Sequence, residues 1–218
     1  MNRRLWPLVI AVTGAACGGR GGPASAPAPT ARRPIEPAHP LFTTALAGQT
    51  VSVLPLTILI VDDSLAPQVS FPDRTKALAW ADSLLGDALE SRGPEVQWVL
   101  APALRKIARR TPGVTVDPDH MGQGIMRVPG IKDVPDPLRT SLRSMVAIAG
   151  GRDVLIPATL YFLPDPEHTV RAELTLVLAD TRTGKVLWRT VATGFGPTAP
   201  RALTSALEVV LPLQVGAR

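Results

Sequence analysis

The sequence is poor in the residues that build most catalytic and metal sites. One of its 218 residues is cysteine and three are histidine, at His39, His120 and His168. A single cysteine excludes an internal disulfide framework and a cysteine-based zinc cluster, and the histidines share no metal-ligand spacing. The G-x-x-x-x-G-K-[ST], G-x-S-x-G, H-E-x-x-H and S-x-x-K motifs do not occur. We therefore predict that the protein is not an enzyme and holds no cofactor and no metal.

The chain also has few aromatic residues and only a small excess of positive over negative charge. Aromatic side chains make up 4% of the chain, so it offers few platforms on which single-stranded nucleic acid could stack. The formal net charge is +5, and two of the basic residues, Arg3 and Arg4, lie at the extreme N-terminus. A mild positive excess spread along the rest of the chain is weak support for nucleic-acid binding, so we predict none. The 45% content of hydrophobic residues is sufficient for an aliphatic core.

The N-terminus has the pattern of an export signal. Arg3 and Arg4 precede an apolar run, Leu5–Ala16, that is shorter than the ~20 residues a membrane-spanning helix needs. Small residues then lead into Cys17, and this junction resembles a bacterial lipoprotein lipobox, although Gly14 stands where an aliphatic residue is usual. The resemblance implies a signal peptide over residues 1–16 and lipidation of Cys17. The alternative is an ordinary signal peptide cut near Ala16, with Cys17 incidental.

The residues after Cys17 predict a tether and then one domain. Residues 17–48 are rich in Gly, Pro and Ala, a composition that cannot offset its ordering entropy by burial. Residues 49–218 show helical and strand patterns in the order β-α-β-α-loop-α-β-β-β-α. This order predicts an α/β (α+β) domain with a mixed β-sheet flanked by helices. The apolar run from Thr50 to Asp63 is expected to form one strand, interrupted at Pro55.

Three segments carry a resemblance to a group of bacterial envelope proteins. Val51–Leu56 is similar to the group's opening strand, Ala149–Thr159 to its step from helix to strand, and Leu178–Trp188 to its characteristic hairpin. The group comprises the curli-secretion lipoprotein CsgG, the lipoprotein LpoB and the TolB N-terminal-like domain. The resemblance covers roughly residues 50–211 and implies this fold and an envelope location. Gly18 after the cysteine favours the outer membrane, facing the periplasm, with the inner membrane and the cell surface as alternatives.

A loop rich in Pro and Gly, Thr111–Pro137, is the strongest candidate for a functional site, because long loops within compact domains are often functional. It follows a short helix that is predicted to end on a basic cluster. Two interpretations are open: the apolar side chains of the loop pack back onto the domain, or they form an exposed patch for a protein partner. The candidate partner-binding residues are Lys106, Arg109, Arg110, Met121, Ile125, Met126 and Ile131.

Two other patterns are weaker. Asp117, Asp119 and His120 could ligate a metal, but nothing nearby supplies the remaining ligands. Gly194–Ala199 matches the dinucleotide pattern G-x-G-x-x-A. However, Pro197 removes a backbone donor and no second strand follows, so these glycines are expected to serve the passage from the last strand into the last helix.

These observations favour a membrane-anchored periplasmic lipoprotein that acts as a non-enzymatic adaptor or assembly factor for an envelope protein complex. The envelope protein that it would contact is not readable from the sequence. The alternative is a homo-oligomeric secretion channel of the curli type, against which stands the lack of paired, alternating ten-residue segments. A third alternative is a hydrolase with an unrecognised site that would use His120.

Overall fold

A six-stranded mixed β-sheet forms the middle layer of the domain in the computed structural model, which describes residues 37–67, 69 and 73–213. The strands are β1 (Thr50–Val53), β2 (Leu59–Val61), β3 (Gln97–Val99), β4 (Asp153–Asp165), β5 (Thr169–Asp180) and β6 (Val186–Gly196). Their order in the sheet is β3-β1-β4-β5-β6, and β2 pairs with β4. β1 is parallel to β3 and β4, whereas β5 is antiparallel to both of its neighbours, β4 and β6. The predicted fold class, a mixed sheet flanked by helices, is confirmed.

Helices cover both faces of this sheet. They are α1 (Arg74–Arg92), α2 (Ala101–Arg110), α3 (Leu138–Ala149) and α4 (Ala199–Val210). α1 and α4 pack on one face over a large apolar cluster, and α2 and α3 pack on the other over a smaller one. The protein therefore has two cores separated by the sheet, each closed by one pair of helices.

Helix α1 begins at a capping aspartate and ends at a glycine. The Asp73 side chain caps the helix by accepting a hydrogen bond from the backbone N–H of Lys76 at 2.7 Å. Gly93 ends it, and the Gly93 N–H bonds to the carbonyl of Leu89 at 2.9 Å. The buried residues Ala77, Ala81, Leu85 and Leu89 recur every four positions, so they line the side of α1 that faces the sheet.

Strand β4 supplies both cores because it contains a β-bulge. Pro157 pairs with Leu176 and Thr159 with Thr175, so Ala158 is an extra residue without a partner in the register. Because of this extra residue, odd- and even-numbered side chains lie on opposite faces of the sheet before and after the bulge. Before it, even-numbered residues such as Ile156 join the core under α2 and α3; after it, even-numbered residues such as Phe162 join the core under α1 and α4.

The apolar run that starts at Thr50 forms two strands rather than the single predicted one. β1 ends at Val53, and β2 begins only at Leu59. Pro55 has no N–H to donate to a sheet ladder. The N–H of Leu56 leaves the sheet as well, because it donates to the buried carboxylate of Asp82 at 2.7 Å. The sheet pairing therefore passes from β1 to β2 across an irregular step.

The domain starts before residue 49, its predicted first residue. Leu41 and Leu46 are buried in the core under α1 and α4. The N–H of Leu41 donates to the carbonyl of Val210, and the N–H of His39 to the hydroxyl of Thr190, each at 2.8 Å. The predicted tether boundary at Gly48 is corrected, because a few leucines within a Pro- and Ala-rich stretch suffice to hold it on the domain. The predicted signal peptide, Cys17 and the tether through residue 36 lie outside the described residues.

The turn between β5 and β6 is organised by a buried carboxylate. One oxygen of Asp180 accepts hydrogen bonds from the backbone N–H groups of Arg182 and Thr183, and the other accepts one from the Arg152 guanidinium. Thr181 also donates to the carbonyl of Arg152 through its N–H and its hydroxyl. The hydrogen bond from Arg152 is the main reason that the pKa of Asp180 lies well below its ordinary value. This network explains the D-T-R-T-G segment of the hairpin.

Candidate functional site

The loop Thr111–Pro137 folds back onto the domain. It contains two 3-10 turns, Pro118–His120 and Gln123–Arg127. Met121 and Met126, with 5% and 0% of their surface exposed, belong to the core under α2 and α3. Their burial contradicts the prediction that these two methionines contact a partner. Their flexible thioether side chains instead fill gaps between the loop and the sheet.

Gln123 fastens this loop to the sheet. Its side-chain amide nitrogen donates to the carbonyls of Pro55 and Pro118, both at 3.0 Å, and the residue is fully buried. The carbonyl of Pro55 lies in the connection between β1 and β2, so one amide joins the loop to the edge of the core. The sequence analysis missed this residue, because a glutamine in a polar loop gives no signal of burial.

A three-residue ion cluster provides a second attachment. The guanidinium of Arg105 binds Asp119 through two hydrogen bonds, from Nε at 2.8 Å and from a terminal nitrogen at 2.7 Å. It also bonds to Asp82 on α1 at 3.0 Å. The hydrogen bonds to Asp119 raise the pKa of Arg105 and lower that of Asp119, whereas burial raises the pKa of Asp82. Arg105 thus joins α1, α2 and the loop.

The carboxylates of the loop are engaged by the protein itself. Asp119 is held by Arg105, and Asp117 accepts from the N–H of Asp119 at 3.1 Å and lies 3.3 Å from Nδ1 of His120. Within the described ranges, no three His, Cys, Asp or Glu side chains come together as a metal site would require. Asp117, Asp119 and His120 thus form part of the loop's own framework.

The outer side of the same region is basic and apolar. Lys106, Arg109 and Arg110 are exposed on α2. Ile125 is 47% exposed, while Ile131 is half-buried against the core under α2 and α3. Three further loop residues that were not among the predicted partner-binding set are exposed, and together these seven residues are called the docking surface: Lys106, Arg109, Arg110, Val114, Val116, Ile125 and Val128.

A groove of about 340 Å³ opens within this surface, between α2 and the loop. It is lined by six residues: Arg105, Ala108, Arg109, Thr115, Asp117 and Asp119. Arg105 is already bound on two sides by carboxylates, whereas Arg109 has no ion-pair partner in the part of the chain that the structure describes. A groove with one free guanidinium, beside carboxylates that are already hydrogen-bonded within the protein, can accept part of another molecule.

The G-x-G-x-x-A segment has a packing role. A Cβ atom on Gly194 would overlap the backbone nitrogen of Ala206 and the carbonyl oxygen of Ala202, and one on Gly196 would lie 2.9 Å from the backbone nitrogen of Ala202. These backbone atoms belong to α4, so the two glycines let this helix lie directly on β6. The sequence predicted that these glycines serve the connection from the last strand to the last helix. The structure shows that they also allow close contact between that helix and that strand.

Of the helices in the described part of the chain, none combines the length and the apolarity needed to span a bilayer. Searches of the sequence against protein-family descriptions and against curated proteins find no match.

Several solved structures align with the chain. The NMR structure of LpoB from Escherichia coli aligns with a TM-score of 0.40 and 15% identity over 88% of this chain and 87% of that one. The LpoB C-terminal domain from Salmonella enterica gives 0.40 and 15% over 67% and 82%. The PelC dodecamer from Paraburkholderia phytofirmans gives 0.36 and 14% over 80% and 94%. At such scores the likeness is partial, and function has to be inferred from the chain's own residues.

Proposed function

We propose that this protein is a lipid-anchored, non-enzymatic adaptor of the bacterial envelope, which binds another envelope protein through the docking surface. The observation that carries the proposal is a patch of basic residues on α2 and apolar residues on the adjoining loop, which Arg105 and Gln123 hold against the domain. Ile125 and Val128 are 47% and 44% exposed, while Gln123, before them, and Met126, between them, are fully buried. A loop that alternates in this way keeps apolar side chains outside at no further ordering cost when a partner binds.

The anchor has its own test. Replacing Cys17 with alanine is expected to release the protein from membranes, because the sulfur that would carry the lipid is lost. The measurement is fractionation of cells that express either form, with removal of the signal peptide checked by mass. Signal-cleaved Cys17→Ala protein that still sediments with membranes would show that the anchor is wrong.

The docking surface is tested by placing a charge on its apolar part. Ile125→Asp is expected to lower the amount of a co-purifying envelope protein by at least ~10-fold. The reason is that the new aspartate would be buried in the contact without a hydrogen-bond or ion-pair partner. The readout is quantitative mass spectrometry of the protein purified from its own membranes in mild detergent. Val209→Asp is the matched control, since Val209 is 42% exposed on α4, which packs on the opposite face of the sheet from the loop. Equal retention of the partner by both variants would contradict the proposal.

A further inference from the structure

The two helical layers of the domain differ in charge. The sequences of α2 and α3 contain six basic residues and no acidic ones. α1 and α4 contain four basic and four acidic residues, which balance. Basic side chains are therefore concentrated in the helices of the layer that carries the docking surface, although neither the overall charge nor the hydropathy of the chain reveals it.

Most of the basic side chains of this layer are free to bind a ligand. Lys106, Arg109, Arg110 and Arg143 are exposed, and none of them forms an ion pair with another described residue. The acidic residues of the neighbouring loop form no ion pair with these four side chains, and each contacts another residue within the loop or beside it. Asp119 binds Arg105, Asp133 binds Lys185 at 2.7 Å, Asp117 lies against His120, and Asp136 accepts from Thr140.

We infer that the partner binds through an acidic protein segment, which lies across α2 and α3 with its carboxylates on Arg109, Arg110 and Arg143. This inference rests on the adaptor function proposed above and names the chemistry of the partner's contact. A carboxylate can receive two parallel hydrogen bonds from one guanidinium. In the groove of about 340 Å³, the carboxylates of Asp117 and Asp119 already accept hydrogen bonds within the protein, so Arg109 is the guanidinium left there for an acidic side chain. The apolar side chain of Ile125 contributes area next to the charged contacts.

A protein segment fits this surface better than a lipid bilayer does. Proteins that rest on a bilayer place Trp and Tyr at the level of the headgroups. The large apolar residues exposed on this layer and its loop are Val114, Val116, Ile125, Val128 and Ile148, and none is aromatic. Short β-branched side chains flanked by arginine form a firm, shallow contact that suits a folded or extended polypeptide.

The test compares two charge reversals of equal size on opposite layers. Arg110→Glu with Arg143→Glu changes the basic layer, and Lys76→Glu with Arg201→Glu changes exposed residues of α1 and α4 by the same four charges. The probe is fluorescent poly-L-glutamate of ~20 residues, titrated with the full-length protein in detergent and followed by fluorescence anisotropy. We expect the first pair to raise Kd by about 10-fold or more and the second by less than about 3-fold, with the difference shrinking at high salt.

Equal weakening by the two pairs would overturn the inference, because net charge alone would then govern binding. It would also be overturned if vesicles containing phosphatidylglycerol, but not poly-L-glutamate, bound in the layer-dependent manner. Unchanged unfolding midpoints must accompany both pairs.

The failure of this inference and that of the adaptor function are distinguishable. Suppose that Ile125→Asp loses the natural partner, but that both pairs of charge reversals change poly-L-glutamate binding equally. The adaptor function would then be supported, and the inference of an acidic contact would be wrong. Retention of the partner in Ile125→Asp removes the adaptor surface itself.

Discussion

Replacing Gly194 with alanine is expected to destabilise the protein by about 3 kcal/mol or more. The new methyl group would overlap backbone atoms of Ala202 and Ala206 in α4, and backbone cannot move aside as a flexible side chain can. α4 closes the larger core over β5 and β6, so moving it away opens contacts of buried residues such as Leu203 and Leu207. The measurement is unfolding of both forms in urea or guanidinium, followed by circular dichroism.

A second glycine separates packing from backbone conformation in this experiment. Gly113 has a φ of +80°, and a Cβ there would meet nothing within 4 Å. Gly113→Ala therefore carries only the cost of the left-handed conformation, about 1–2 kcal/mol. If Gly194→Ala costs no more than Gly113→Ala, then the close contact between α4 and β6 is not the reason that glycine stands at position 194.

Removal of the Asp180 carboxylate is expected to cost about 3 kcal/mol of unfolding free energy at neutral pH. Asp180 is 2% exposed and accepts hydrogen bonds from Arg152 and from two backbone N–H groups of the turn. Asp180→Ala leaves these donors without their charged acceptor at the start of β6. Arg182→Ala is the control, because the Arg182 side chain is exposed and its contribution to the turn is a backbone N–H; it should change stability by less than about 0.5 kcal/mol.

The effect of Asp180 should depend on pH in a defined direction. Its pKa in the folded protein is lowered, chiefly by the hydrogen bond from Arg152. A carboxylate with a lowered folded pKa stabilises the protein fully above its unfolded pKa of about 3.9, and this contribution is lost as pH falls through the folded pKa. The difference in unfolding free energy between the wild type and Asp180→Ala should therefore shrink below about pH 4. A difference that is the same at pH 3 and pH 7 would show that the charge of Asp180 does not hold the turn.

Much of the fold could be predicted from the sequence because its signals are local. The capping aspartate at position 73, the glycine after α1 and the hairpin around Asp180 each act within a few residues of where they stand. The split of the first apolar run was missed, because β2 forms only by pairing with β4, about 100 residues away. The bulge at Ala158 was missed for a different reason. In an unbroken run of apolar residues, the sequence does not show which face of the sheet each side chain occupies.

The candidate site was predicted in part. Lys106, Arg109, Arg110 and Ile125 are exposed, while Met121 and Met126 are buried, because composition cannot distinguish an apolar residue that fills the core from one that faces solvent. The residues that hold the loop in place are Arg105 and Gln123, and their partners Asp82 and Pro55 are 23 and 68 residues away. Contacts of such separation leave no periodicity or spacing in the sequence. The asymmetry of charge between the two helical layers likewise emerges only when the fold assigns each helix to a face.

The central claim, that the protein is an adaptor which holds a second envelope protein, is tested most directly by the native mass of the full protein extracted from its own membranes in mild detergent. The proposal predicts a small complex that contains one other envelope protein in fixed ratio, and the loss of that protein in Ile125→Asp. A large homomeric ring would contradict it and would favour the secretion channel instead.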